Sequence, residues 1–292
     1  MGYYCREQLM QDKIALEQCS LRSVQSQKNY PMQAVRFYYL IRVQFLGFRF
    51  SGWQKQPNLK TVEGMLDKTL KYIMPDSKFK ILGAGRTDAK VSALNAAFEL
   101  FLDKEPIVEL DAFMKNFNKN LPPDIRAIGI EEVNESFNVI QQSKLKEYVY
   151  LFSFGQKNHP FCAPFLANII EDLDIELMKD CAKLFEGSHN FSAYTARLQP
   201  GTKVIRKIDS CEIIENKILE ANFFPKTSYA LRICGAGFMR YQIRMIMGAL
   251  IQIGKGELSM EEIKASLSNK HSCELTFVAP GSGLLLNNLQ FE

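Results

Sequence analysis

The chain predicts an α+β fold made of two similar halves. The first half reads strand, helix, strand, strand, helix, strand, the split βαβ order of a ferredoxin-like unit, and the second half echoes it. With 47% hydrophobic and 23% charged residues over a length of 292, the composition suits an ordinary packed core. The length suits about two domains of roughly 150 residues. The expected division is an N-terminal extension over residues 1–35, an α+β domain over 36–135 and a second over 136–292, with their sheets joined side by side.

Each element has a local reason. Residues 1–35 are rich in Gln and Ser, with weak periodicity, and are expected to form a mobile extension. Phe37, Tyr39, Ile41, Val43 and Phe45 recur with period two and mark the first strand. Thr61 opens a helix whose Val62, Met65, Leu66, Thr69, Leu70 and Ile73 form one apolar stripe, and Pro75-Asp76 ends it. Phe79–Leu82 and Ala96–Leu102 are strands, Leu110–Asn118 a helix and Ile125–Val133 a strand. In the second half, strands are expected at Glu147–Phe154, Val204–Ile214, Ile218–Phe223 and Ser228–Cys234. Helices are expected at Asp174–Glu186, Phe238–Ile253 and Ser259–Leu267, the last with Ser259 and Glu262 in capping-box spacing. Gly283-Leu284-Leu285-Leu286 returns as a buried strand.

Several function classes drop out. The seven cysteines are odd in number and scattered, and the three histidines form no ligand spacing, so reduced thiols and no metal site are expected. No apolar run approaches about 18 residues, so no membrane helix is expected. Residues 1–35 carry no basic-then-apolar signal pattern, and Arg6 stands where a myristoylation site wants Ser or Thr.

The formal net charge is only +4, but it is unevenly spread. From Ala221 to Gly256 there is no acid, while Lys226, Arg232, Arg240, Arg244 and Lys255 are present. From Gly187 to Ile208 there is again none, with Arg197, Lys203, Arg206 and Lys207. Interleaved aromatics such as Phe191, Tyr194, Phe238 and Tyr241 suit RNA, because cations neutralise phosphates and ring faces stack on splayed bases. A solvated basic face is the simpler alternative.

Gly83-Ala84-Gly85-Arg86-Thr87-Asp88 follows a strand and is glycine-rich. It fails the dinucleotide pattern, which needs glycine where Asp88 stands, and it lacks the Gly-Lys-Ser/Thr of a phosphate loop. The loop therefore presents Asp88 rather than cradling an anion. Asp88 has four readings: a turn cap, an ion-pair partner, a general base or a covalent nucleophile. Arg86, two residues away, would help keep it ionised.

Gly85-Arg86-Thr87-Asp88-Ala89-Lys90-Val91-Ser92-Ala93 resembles the G-R-T-D-x-G-V-(H/S)-A motif of the TruA family of tRNA pseudouridine synthases. Further matches follow in the family's order. They are Gly47 to Gln56 with the aromatic-x-G-W-Q-x-Q loop, Asn120-Leu121-Pro122-Pro123-Asp124-Ile125 with N-L-P-x-D-I, and Lys146-Glu147-Tyr148-Val149-Tyr150 with R-x-Y-x-Y. Gly187-Ser188-His189-Asn190-Phe191 is similar to G-x-H-D-F, and Phe238 to Leu250 to the F-x-x-x-x-V-R-x-x-x-G-x-L helix.

The resemblance implies a cofactor-free isomerase that detaches uracil from ribose, rotates it and rejoins it through C5. It also implies the pseudouridine synthase fold: an extended antiparallel or mixed sheet, helices on one side and a central RNA-binding cleft. Asp88 matches the catalytic aspartate, Tyr148 the active-site tyrosine and Arg244 the arginine that pairs with the aspartate. Arg86 matches the residue that takes the flipped base's place, and Leu284 and Leu285 would line the uracil pocket. Thr87, Lys90, Trp53, Gln54, Lys55 and Arg240 join Arg197, Lys203, Arg206 and Lys207 as expected RNA contacts. The partners implied are tRNA, at the anticodon stem-loop, and a second copy of the chain in a cytoplasmic homodimer. Two competing readings are an RNA-binding protein without catalysis on the same scaffold, and a hydrolase using Asp88 as nucleophile.

Three departures stand out. Lys90 replaces the motif's glycine, which would strain the loop if that position needs positive φ. Leu46 replaces an Asp before Gly47, and Ile140 replaces an Arg between Phe137 and Tyr148.

Overall fold

The computed structural model describes residues 35–196, 198, 201–268, 275 and 277–291. The expected extension over 1–35 lies outside this set apart from Val35, and so does Arg197.

The first half forms β1 (Arg36–Phe45), α1 (Val62–Ile73), β2 (Phe79–Gly83), β3 (Ser92–Asp103), α2 (Leu110–Asn120) and β4 (Ile125–Val133). Its strands lie in the spatial order β4-β1-β3-β2. The second half contributes β5 (Ser143–Ser153), the short β6 (Ala167–Asn168), α3 (Ile175–Ala182), and the hairpin of β7 (Gly187–Asn190) and β8 (Ile205–Ile208). It continues with β9 (Ser210–Glu215), β10 (Tyr229–Gly235), α4 (Gln242–Gly254), α5 (Met260–Ser266) and β11 (Leu284–Phe291). Here the order is β11-β5-β10-β9, the same pattern repeated. One nine-stranded mixed sheet results, and it runs without a break from one half to the other.

The seam is the pairing of β3 with β11. It is parallel and short, Leu285 opposite Ser92 and Leu286 opposite Ala93. Beyond it β3 turns to β2, from Gly83 opposite Phe98 onward. The chain between β2 and β3 therefore emerges at the seam, and that stretch carries Asp88.

Strand alternation sorts the side chains between two faces. Tyr39, Ile41 and Val43 of β1, Tyr148, Tyr150 and Phe152 of β5, and Leu284 and Leu286 of β11 share one core with the buried residues of all five helices. Val149, Leu151 and Leu285 face the other way, under loops. Helices thus cover one side of the sheet.

Local signals explain most boundaries. The Thr61 hydroxyl accepts from Gly64 N, and Ser259 and Glu262 close the expected capping box. Three expectations need correction. Val204–Ile214 is two strands, parted at Asp209: one pairs with β7 and the other joins the main sheet. Ile218–Phe223 is a loop, because the Asn216 side chain accepts from Ile218 N and donates to Leu219 O, curling the chain while its apolar residues cap the sheet. The helix expected from Phe238 starts at Gln242, because Tyr241 is left-handed at φ 63°. Residues 238–241 become a loop.

Candidate active site

The loop after β2 is held by close backbone contacts. A Cβ on Gly83 would lie 2.5 Å from the Trp53 indole, and one on Gly52 would lie 2.7 Å from Thr87 O. Only glycine permits either approach, and Gly52 also needs φ +99°. Trp53 N donates to Thr87 O at 3.1 Å, Lys90 N to Phe50 O at 3.0 Å and Ala84 N to Ala97 O at 3.0 Å. The turn before β11 meets the loop from the other side: a Cβ on Gly281 would sit 2.4 Å from Ala89 O.

This frame delivers Asp88 into a cleft of about 680 Å³. Its Oδ2 accepts from Arg244 Nη1 at 3.2 Å, and the two side chains are 23% and 15% exposed. Arg244 is itself anchored, donating through Nε to Ala279 O at 2.7 Å and lying 4.9 Å from the Tyr241 ring. Burial raises the Asp88 carboxyl above its ordinary 3.8, although the attraction and hydrogen bond of Arg244, and the charge of Arg240, oppose it. The result is a carboxylate that is costly to ionise and is stabilised by one directional cation.

Tyr148 projects from β5 into the same cleft, edge-on to Phe238 with centroids 5.5 Å apart. Burial, and then the charge of Asp88, push its phenol up to about 12, so the hydroxyl is protonated at neutral pH. Leu284 adds an apolar wall. Beneath it, Tyr150 donates to Pro280 O at 2.8 Å and pins the turn that precedes β11. Arg86 and Arg240 are exposed cations at the rim, with Gln54 and Thr87 beside them. A carboxylate, walls of Tyr148, Phe238 and Leu284, and a cationic rim suit a planar polar ring attached to an anionic chain.

Asp88, Tyr148, Arg244, Arg86, Thr87, Gln54, Arg240 and Leu284 are thus brought together. Other expected residues are not. Trp53 is buried core against Phe45 and the backbone of Gly83. Lys55 pairs with Asp67 at 2.6 Å on α1. Leu285 points to the opposite sheet face, since neighbours on a strand alternate. Lys90 sits outside the cleft with its ammonium 5.6 Å from the Phe48 ring; its φ is +68°, so the position needs the glycine-like backbone. Lys203 precedes β8, which carries Arg206 and Lys207, and Lys207 pairs with Asp209. Gly281 was not anticipated; its signal was the Gly281-Ser282-Gly283 run before three leucines. Among the described residues, no group of three or more His, Cys, Asp or Glu side chains could hold a metal ion.

A family model described as tRNA pseudouridine synthase matches residues 181–292. The chain is 33% identical over 254 residues to tRNA pseudouridine synthase A 2 of Bacillus anthracis, covering 87% of this chain and 99% of the relative. The chain belongs to the tRNA pseudouridine synthase A (TruA) family. Similar relatives are tRNA pseudouridine synthase A of Aquifex aeolicus, 31% identical over 251 residues (86% of this chain, 98% of the relative), and of Mycoplasma genitalium, 30% identical over 256 residues (87% and 98%). A stretch of 254 residues leaves 38 of 292 outside it. Wherever it begins, it contains the Asp88 loop, Tyr148 and Arg244. The TruA family is an isomerase family, and the large mixed sheet with five helices fits its fold.

Proposed function

We propose that this TruA-family chain converts uridine to pseudouridine in the anticodon stem-loop of tRNA, at positions 38, 39 and/or 40, with Asp88 as the catalytic residue. The observation that carries this reading is the Asp88–Arg244 pair at 3.2 Å inside a cleft walled by Tyr148 and Leu284. The reaction breaks the bond from C1′ to N1 and forms one from C1′ to C5. The C5 proton leaves and N1 gains one, so the atoms balance without a cofactor. Asp88 serves either by attacking sugar or base, or by removing a ribose proton. Tyr148 stacks on the uracil, and Arg86 fills the gap that the extruded nucleotide leaves, at an unstacking cost of about a few kcal/mol. Arg197, Lys203, Arg206 and Lys207 serve the phosphates farther along the RNA. A homodimer binding tRNA across both subunits, in the cytoplasm, completes the reading, and sedimentation with and without tRNA tests the dimer.

The deciding measurement is tritium release from 5-tritiated uridine in tRNA that lacks its anticodon-stem pseudouridines. The wild-type chain should release tritium, and Asp88→Ala should not, while still binding tRNA. No release by wild type would leave only an RNA-binding role on this scaffold.

A further inference from the structure

Lys146 lies on β5 two residues before Tyr148, so both side chains point to the same face of the sheet. Its Nζ donates to Ala84 O at 2.9 Å. Ala84 is the first residue of the loop that ends in Asp88, and its N–H is already bound to Ala97 O of β3. The ammonium also rests against the next residue: a Cβ on Gly85 would stand 3.3 Å from Nζ. The adjacent Glu147 does not serve as counter-ion. It faces the other way, where its carboxylate accepts from Asn287 and from Cys234. Burial lowers the affinity of Lys146 for its proton, and among the described residues no acidic group acts against that effect.

A half-buried ammonium with no carboxylate partner among the described residues is a poor choice for stability. Methionine would fill a similar volume without the desolvation cost. What lysine supplies is a donor at the end of a long arm, reaching from β5 to a backbone carbonyl of the Asp88 loop. Trp53 and Lys90 fix that loop to the first half of the chain. Lys146 ties its entry to the strand that carries Tyr148.

We propose that Lys146 is a positioning residue, setting the separation between the Asp88 loop and Tyr148 by holding the Ala84 carbonyl. It is absent from the cleft wall and acts through the backbone rather than on substrate. This inference rests on the reading of Asp88 as the catalytic group.

Single-turnover tritium release with saturating tRNA tests it. Lys146→Met should lower the rate about ten- to hundredfold, the penalty of a small misplacement of reacting groups. Its tRNA affinity should stay within about twofold and its melting temperature should not fall, because a desolvated charge has gone. Lys146→Arg, which keeps a donor, should recover most of the rate. Gly85→Ala, which crowds the ammonium, should slow the wild type and have little further effect in Lys146→Met, a non-additivity expected of two residues acting on one contact. A wild-type rate for Lys146→Met would overturn the proposal. So would a rate loss matched by lost tRNA affinity, which would make Lys146 an RNA contact, or full additivity with Gly85→Ala. If Asp88→Ala remains active, the reading of Asp88 has failed instead, and that control separates the two.

Discussion

Asp88 and Arg244 are 156 residues apart in the chain and 3.2 Å apart in space. The link joins the loop after β2 to the first turn of α4, so each half of the sheet contributes one partner. Arg244 is oriented before it meets the carboxylate, because its Nε is bound to Ala279 O and the Ala279 N–H returns to Arg244 O. Its Nη1 is thereby aimed at Asp88.

Arg244→Met should expose how far that cation sustains the charge. Burial already raises the Asp88 carboxyl, and Arg244 is the first force opposing it. Without it the acid limb of the rate–pH profile should move to higher pH. The fold should lose about 2 kcal/mol, since one member of a partly buried pair remains. Rates between pH 5 and 9, with urea melts, check both; an unmoved acid limb would mean that Arg244 does not govern the ionisation of Asp88.

Asp88→Asn should make the protein more stable at pH 7. The folded carboxyl binds its proton more tightly than the ordinary value of 3.8. Its favourable contribution is therefore complete below about pH 3.8 and is lost as pH rises through the folded value. The melting-temperature gain of the amide should shrink as pH falls through that window. A gain that is constant with pH would assign it to packing rather than ionisation.

Lys90 occupies a left-handed backbone at φ +68°. Comparing two variants that both lack its ammonium isolates the backbone. Lys90→Gly should be more stable than Lys90→Ala by about 1 kcal/mol, because a Cβ is disfavoured there. Denaturant midpoints decide it, and equal stabilities would show that the loop relaxes to another conformation.

Trp53 is 3% exposed beneath the Asp88 loop. Trp53→Ala should cost about 3–5 kcal/mol of stability, the usual penalty for deleting a buried large aromatic side chain. Below the melting transition, tRNA affinity should change little. A large affinity loss at unchanged stability would return Trp53 to the RNA surface.

Much of this was readable in one dimension. The period-two run marked β1, the apolar stripe marked α1, and Ser259 with Glu262 marked the start of α5, because each depends on neighbours within a few residues. The G-R-T-D run singled out Asp88 and Arg86 for the same reason. The family resemblance brought in Tyr148 and Arg244, which local pattern alone would have left as strand and helix residues.

Other features only the tertiary structure decided, because they depend on what lies across the sheet. Leu284 and Leu285 are equivalent as text, yet alternation on β11 puts one in the cleft and the other on the far face. Trp53 and Lys55 sit beside Gln54 in the sequence, but the indole fills space that the missing side chain of Gly83 leaves, and Lys55 turns to Asp67. The acid-free stretches suggested unpaired cations. Folding pairs three of them, Arg232 with Glu212, Lys255 with Glu171 and Lys207 with Asp209, while Arg240 stays exposed at the cleft rim. Lys146 reads as an ordinary strand lysine until β5 is laid beside the Asp88 loop. Local periodicity determined the elements of this protein; the pairing of β3 with β11 determined which of its charges meet.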